Sequence, residues 1–263
     1  YYNCEIVEIP MKKDGVDLAV LESELKKGIP IFFYTMPNFQ NPTGVTTSQE
    51  HREKLIAICE KYNMLIVEDA FEEEMKYFGK VSLPVKSMDI NQLVIYVGSF
   101  SKILFPGIRL GWIAADIECI NRLSTLKRFS DISSTLPEQA ALADFCNSGH
   151  YELHIKRIHK IYRKRMILAV QELDKKIKNK NVTWIEPNGG FTIWLTMKNV
   201  KQNYDELNKI CLSYKVRVAM GKDFFAYPEL KKYVRLSISS LNEEEIIEGI
   251  DRLSKAIKQI YTN

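Results

Sequence analysis

No stretch of this chain approaches the roughly 20 consecutive apolar residues needed to cross a bilayer, and no signal-peptide pattern is visible. Cysteines are few. Cys4, Cys59, Cys119, Cys146 and Cys211 form no CxxC or other paired spacing, so they read as reduced thiols of a cytoplasmic protein and not as a disulfide framework. Histidine is scarcer still, and His51, His150, His154 and His159 lack the cysteine or acidic partners of a metal centre. His150 and His154 stand at helical i, i+4 spacing, which a solvated helix face explains more simply than a metal does. Repeats, low-complexity tracts and flexible linkers are absent, and a net charge of +4 does not by itself argue for nucleic acid. What remains is 263 residues, 46% of them hydrophobic, enough for a large core in one large domain or two.

Strand-like segments at 4–9, 31–34, 64–69 and 93–98 alternate with helical stretches such as 47–62. That order predicts a three-layer α/β fold, a mainly parallel sheet covered on both faces. Leu110-Gly-Trp-Ile-Ala-Ala115 follows too soon for a parallel crossover and is expected to run antiparallel. From Pro137 to about Lys178 the pattern is helical. There the basic run 156–165 carries an apolar stripe at Ile155, Ile158 and Tyr162, which fits an amphipathic helix with a charged outer face as well as a nucleic-acid contact. Strands at 182–185, 191–196, 216–219 and 233–237, with helices near 203–214 and 243–260, predict a smaller α+β domain. Asn188-Gly-Gly190 reads as a tight turn between two of its strands. The expected division is a large domain at 1–150, a connecting helix at 151–178 and a small C-terminal domain at 179–263.

Chemistry concentrates at strand ends. Gln92-Leu-Val-Ile-Tyr-Val-Gly98 reads as a buried parallel strand, and Lys102 lies just beyond its carboxyl end, where open α/β sheets place ligands. Such a lysine can attack a carbonyl once desolvation or a neighbouring cation such as Arg109 favours its neutral form. Ser99 and Ser101 can donate to phosphate oxygens, and Arg109 can add a bidentate charged contact. Taken alone, SxSK describes many surface lysines. Two upstream segments give it support. Pro37-Asn-Phe-Gln-Asn-Pro-Thr-Gly44 follows Ile31-Phe-Phe-Tyr34 as a rigid turn, where Asn41 could meet a phenolic oxygen; the turn also reads as the entry to a helix capped near Thr47, with Glu50 completing a capping box. Asn63-Met-Leu-Ile-Val-Glu-Asp-Ala-Phe71 is an apolar strand ending in two acids. Asp69 is suited to hold a pyridinium proton, while Glu68 should point to the opposite face.

In this order, NPTG, a strand ending in aspartate, then SxSK with an arginine seven residues after the lysine, the chain resembles the fold-type I pyridoxal-phosphate enzymes of the class I/II aminotransferase family. The wording of Glu68-Asp-Ala-Phe-Glu-Glu-Glu-Met-Lys-Tyr-Phe-Gly79 and of 94–111 is most similar to the aminotransferase-like domain of MocR (GntR-type) regulators, with 2-aminoadipate aminotransferases close by. The resemblance implies pyridoxal 5'-phosphate as cofactor, Lys102 as the internal aldimine lysine, Asp69 at the ring nitrogen, Asn41 at the ring's 3' oxygen, and Ser99, Ser101 and Arg109 around the phosphate. It implies that Arg235, in Tyr233-Val-Arg-Leu-Ser-Ile-Ser239, grips the substrate carboxylate. Phe71 departs from the pattern, standing near where relatives carry a tyrosine that shares the 3' oxygen. The implied activity is amino transfer from an amino acid to a 2-oxo acid in a homodimer, or effector sensing in a regulator whose winged helix would bind DNA. Relatives carry further cofactor contacts upstream of Tyr1, so the resemblance implies the C-terminal portion of a longer protein.

Overall fold

Gly15–Val16 (β2) folds back on Met11–Lys12 (β1) as a short antiparallel hairpin, and Asp17 then caps the helix Leu18–Lys27 (α1) by accepting from the N–H groups of Ala19 and Val20. That helix, not anticipated from the sequence, buries Leu21 and Leu25 one turn apart. The computed structural model describes residues 4–80, 82–131, 134–227 and 229–262. The strand expected at 4–9 does not form: alternation gives strand propensity, but a strand needs an edge to pair with. Here the segment is instead strapped to a distant loop, the Tyr227 hydroxyl donating to the Ile6 carbonyl at 3.0 Å and the Ala226 N–H to the Glu8 carboxylate.

The first sheet comprises Phe33–Thr35 (β3), Ile66–Asp69 (β4), Val94–Ser99 (β5) and Gly111–Ala114 (β6), in the order β3-β4-β5-β6. The first three are parallel, and β6 runs antiparallel to β5, as its short connection required. Between β3 and β4 lies the helix Gln49–Lys61 (α2). Its cap is Ser48 and not Thr47, because Asp14 of the β1–β2 turn reaches Ser48, accepting from its N–H at 2.7 Å and its hydroxyl at 2.6 Å. Glu50 is left to pair with Lys54. Leu21 and Leu25 pack with Leu55, Ile66 and Val94 into one core beneath the sheet.

The helices Ile117–Ser130 (α3) and Leu136–Asn147 (α4) bury no side chain among the described residues, and Phe129 is 86% exposed. His150–Lys176 (α5) then runs on to a second, antiparallel sheet, with strand order β7-β8-β10-β9. Its strands are Val182–Trp184 (β7), Thr192–Met197 (β8), Ala219–Met220 (β9) and Lys232–Ser237 (β10), with Tyr204–Ser213 (α6) and Glu243–Thr262 (α7) between and after them. On α7, Ile246, Ile250, Leu253 and Ile257 form a buried stripe with helical spacing. They pack against Met166, Ala169 and Leu173 of α5 and Ile193 and Leu195 of β8, each large side chain contributing about 1.5–3 kcal/mol by leaving water. The stripe expected in the basic run also turns inward: Ile155, Ile158 and Tyr162 pack on this core while Lys156, Arg157 and Lys160 stay exposed.

Phe39, Met75, Tyr77 and Ile103 join that same core from the first half of the chain. The glycines between β7 and β8 make this possible, and a turn alone does not account for them. Gly190 donates to the Met75 carbonyl at 2.8 Å, and Tyr77 donates from its N–H to Asn188 at 2.8 Å and from its hydroxyl to Gly190 at 2.9 Å. A Cβ at Gly189 would lie 2.2 Å from the Met75 carbonyl oxygen, and Gly190 has φ +69°. Of the histidines on α5, His150 stays exposed beside the Ser148 hydroxyl, as a solvated face requires, whereas His154, against that expectation, and His159 serve the same docking. The ring N–H of His154 donates to the Ile103 carbonyl at 2.8 Å, and that of His159 to the carbonyl of Lys76.

Candidate functional site

Three loops lie at the carboxyl ends of β3, β4 and β5, and the first reaches β10 of the second sheet. The first loop, 36–48, is braced by Arg52, a fully buried side chain of α2. It donates from Nε to the Thr47 carbonyl at 3.2 Å, from Nη1 to Leu83 at 2.9 Å, and from Nη2 to Pro37 at 3.2 Å and Asn38 Oδ1 at 2.7 Å. Gln40 closes the turn by accepting from the Thr43 hydroxyl at 2.6 Å and N–H at 3.0 Å. The loop so fixed presents Asn41, whose Oδ1 accepts from Arg235 Nη1 at 2.7 Å.

At the end of β4, Glu68 and Asp69 part company, as strand alternation requires. Glu68 is buried and accepts from the N–H groups of Val85 and Lys86 at 2.9 and 2.8 Å; burial nevertheless raises its pKa. Asp69 accepts from the Tyr34 hydroxyl at 2.6 Å and, more weakly, from the Phe71 N–H at 3.3 Å. Burial and the Asp69 carboxylate together push the Tyr34 phenol upward. Phe71, half-buried, follows with no hydroxyl to offer.

The third loop carries Lys102. Ser99, the last residue of β5, accepts from the Ser101 N–H at 3.2 Å, and the Ser101 hydroxyl accepts from Arg109 Nη1 at 3.3 Å. Arg109 sits in the left-handed region at φ 48° and also reaches the Pro106 carbonyl. Lys102 is exposed above a buried Ile103, whose carbonyl His154 holds.

Arg235, on β10, lies 4.8 Å over the Phe224 ring, and its Nε is buried with no hydrogen-bond partner. An orphaned guanidinium donor beside an amide-bound Nη1 is suited to an anionic ligand. Burial lowers the Arg235 pKa, with the Glu72 carboxylate acting the other way. Glu72 itself is 4% exposed and accepts from the Phe191 N–H at 3.2 Å. Burial pushes it up to about 7, opposed by that N–H and by the charges of Lys102 and Arg235.

The structure thus joins Asn41 directly to Arg235, joins Ser99, Ser101 and Arg109 in one cluster, and makes Glu72 the point on which the charges of Lys102, Arg235 and Asp69 act together. Glu72, Tyr34 and His154 were not singled out in the sequence for this site. Tyr34 could have been, since it lies on the strand neighbouring the one that carries Asp69. Glu72 sits in a run of three glutamates that reads as solvated, and no local signal marks it.

The sequence profile of the aminotransferase class I and II family matches residues 1–253. The chain is 34% identical over 264 residues to an aromatic-amino-acid aminotransferase of Thermococcus litoralis, an alignment spanning 98% of this chain and 63% of that protein. It is 31% identical over 262 residues to YdfD of Bacillus subtilis, an uncharacterized HTH-type transcriptional regulator, spanning 97% of this chain and 52% of the regulator. The crystal structure of LysN, an alpha-aminoadipate aminotransferase of Thermus thermophilus complexed with N-(5'-phosphopyridoxyl)-L-leucine, superposes with a TM-score of 0.91 at 29% identity, covering 97% of this chain and 66% of that one. The chain therefore spans between half and two thirds of the length of these relatives.

Proposed function

Because the chain belongs to the aminotransferase class I and II family, we propose that it carries the lysine half of a pyridoxal-phosphate site in a protein that transfers an amino group from an amino acid to a 2-oxo acid. The observation that carries this reading is the Asn41–Arg235 bond, which holds a guanidinium with an unpartnered Nε in the same site as Lys102 and Asp69. The donor set fits the cofactor: a primary amine for its aldehyde, two hydroxyls and Arg109 for its phosphate, and Asp69 for its ring nitrogen. When bound, pyridoxal phosphate supplies the carbonyl that takes up the amino group and the ring that accepts the electron pair released at the substrate's Cα.

The chain's own residues do the rest. Arg235 grips the substrate carboxylate, and Asn41, already bonded to that guanidinium, shares its amide between it and the ring's 3' oxygen. Asp69, aligned by the Tyr34 hydroxyl, keeps the ring nitrogen protonated through its charge. Lys102 Nζ moves the proton at Cα. Phe71, which has no hydroxyl, would lie beside the ring. The division into 1–150, 151–178 and 179–263, a homodimer, and a cytoplasmic location belong to the same proposal.

The likeness to an HTH-type regulator favours a second reading, in which the same residues detect an amine or amino acid for a DNA-binding partner segment. A coding sequence with a winged helix ahead of Tyr1 would select it. For the cofactor site, the full-length protein is mixed with pyridoxal phosphate, reduced with borohydride and digested. The expected result is a pyridoxyl group on Lys102; labelling that persists undiminished in Lys102→Ala would overturn the assignment.

A further inference from the structure

Glu72 is a buried carboxyl at the centre of the site that the proposed chemistry leaves without a task. Its place is built. One oxygen accepts the Phe191 N–H at 3.2 Å, and Gly190 leaves the room for it, since a Cβ there would stand 2.6 Å from Glu72 Oε2. The charges that face it come from each neighbouring element. Asp69 acts from the end of β4, Lys102 from the loop after β5, Arg235 from β10, and the Tyr77 phenol from its own segment. In the free site two cations favour the carboxylate, while Asp69 and the loss of water oppose it, and the balance falls near neutrality.

Resting on the carboxylate-binding reading of Arg235, we propose that Glu72 couples substrate binding to protons: when a carboxylate seats on Arg235, Glu72 takes up a proton from solvent. The reason is charge. A carboxylate on Arg235 brings a negative charge into a site poor in water and cancels one of the two cations that kept Glu72 ionised. The only bond made is O–H on Glu72, with the proton drawn from water or buffer. The buried carboxyl is thus neutralised, without moving, as the substrate's anion arrives. It follows by linkage that carboxylate affinity falls by up to about tenfold per pH unit above neutrality. A glutamate that merely caps the Phe191 N–H would produce no such coupling.

The test uses the full-length protein loaded with pyridoxal phosphate and 3-phenylpropanoate, a carboxylate with no amino group to react. Calorimetry at pH 7.5 in two buffers of different ionisation enthalpy counts protons taken up on binding. Protonation at the cofactor is read separately from its visible absorbance, and only uptake in excess of it counts. The wild type is expected to take up between about one half and three quarters of a proton per bound carboxylate at that pH, with Kd rising from pH 7 to 9. Glu72→Gln, which keeps the shape and an acceptor oxygen for Phe191, is expected to take up none in excess and to show a flat Kd over that range. Wild-type binding without excess uptake overturns the proposal whether or not the variant folds, as does uptake in Glu72→Gln equal to that of wild type, or no binding at all. Borohydride labelling in the same preparation separates the two readings. A labelled Lys102 with proton-independent binding removes the role of Glu72 alone, whereas absence of labelling removes the cofactor site and this proposal with it.

Discussion

The loop after β3 is held from beneath by a fully buried arginine that touches it at three places, whereas the loop after β5 hangs on two serines, Arg109 and one histidine at distances of 2.8–3.3 Å. Both face the same site, yet they answer to different physics. Arg52 has left water entirely, so its hydrogen bonds must be made for the chain to fold, and Asn41 is positioned by folding itself. The lysine loop is solvated and its contacts are individually modest. Ile103 anchors it in the core, but its exposed residues, Lys102 and Arg109, can change with little cost to stability.

The sharpest way to break this contrast is Arg52→Met. It takes their guanidinium donor from the carbonyls of Leu83 and Thr47 and the Asn38 amide oxygen, and leaves Pro37 with the Thr47 N–H alone, and should lower the free energy of unfolding by about 3–5 kcal/mol. Lys102→Ala should stay within about 0.5 kcal/mol of wild type. Comparable midpoints for the two variants in urea would erase the distinction. A smaller effect is expected of His154→Ala, which frees the Ile103 carbonyl: about 1–2 kcal/mol of stability, together with slower borohydride labelling at Lys102. If labelling keeps its rate, the histidine braces the helix and not the lysine.

Beside Glu72 stands a second raised carboxyl. Glu73, which accepts from the Tyr96 hydroxyl, is pushed up to about 7, first by burial and then by Glu68. Between the ordinary carboxyl value and about 7 the folded state binds more protons than the unfolded one. Stability therefore falls as pH rises through that window, and the loss is complete above it. Thermal melts of Glu73→Gln should show a shallower decline between pH 5 and 8 than wild type; parallel curves would place the decline elsewhere. The smallest change is Phe71→Tyr. A phenol beside the cofactor's 3' oxygen should lower the pH at which its visible absorbance titrates, and superimposable titrations would show that the missing hydroxyl has no influence.

What could be read in the residues was local or close in sequence. The parallel order of β3, β4 and β5 followed from apolar runs at regular intervals, and the antiparallel β6 from a connection too short to cross over. Ile155, Ile158 and Tyr162 turned inward because their spacing is helical. What could not be read depends on partners far along the chain. Ser48 takes the cap from Thr47 because Asp14, 34 residues earlier, reaches it. Residues 4–9 have strand-like alternation, but Glu8 and Ile6 accept hydrogen bonds from a loop 218 and 221 residues away. Glu72 meets Gly190 and the Phe191 N–H, which stands 119 residues away. In the site, Asn41 and Arg235 were matched to separate tasks from the resemblance, and their direct bond across 194 residues has no trace in either motif.

The seam in which Gly190 meets Met75 and Tyr77 has a consequence for how the chain is made. Tyr77 and Gly190 are 113 residues apart. At roughly 5–20 residues per second, a ribosome delivers the second some 6 to 23 s after the first. Throughout that interval Phe39, Met75 and Tyr77 have no β8 to pack on, and Glu72 stands in water as an ordinary acid. The centre of the site is thus among the last parts to close during synthesis.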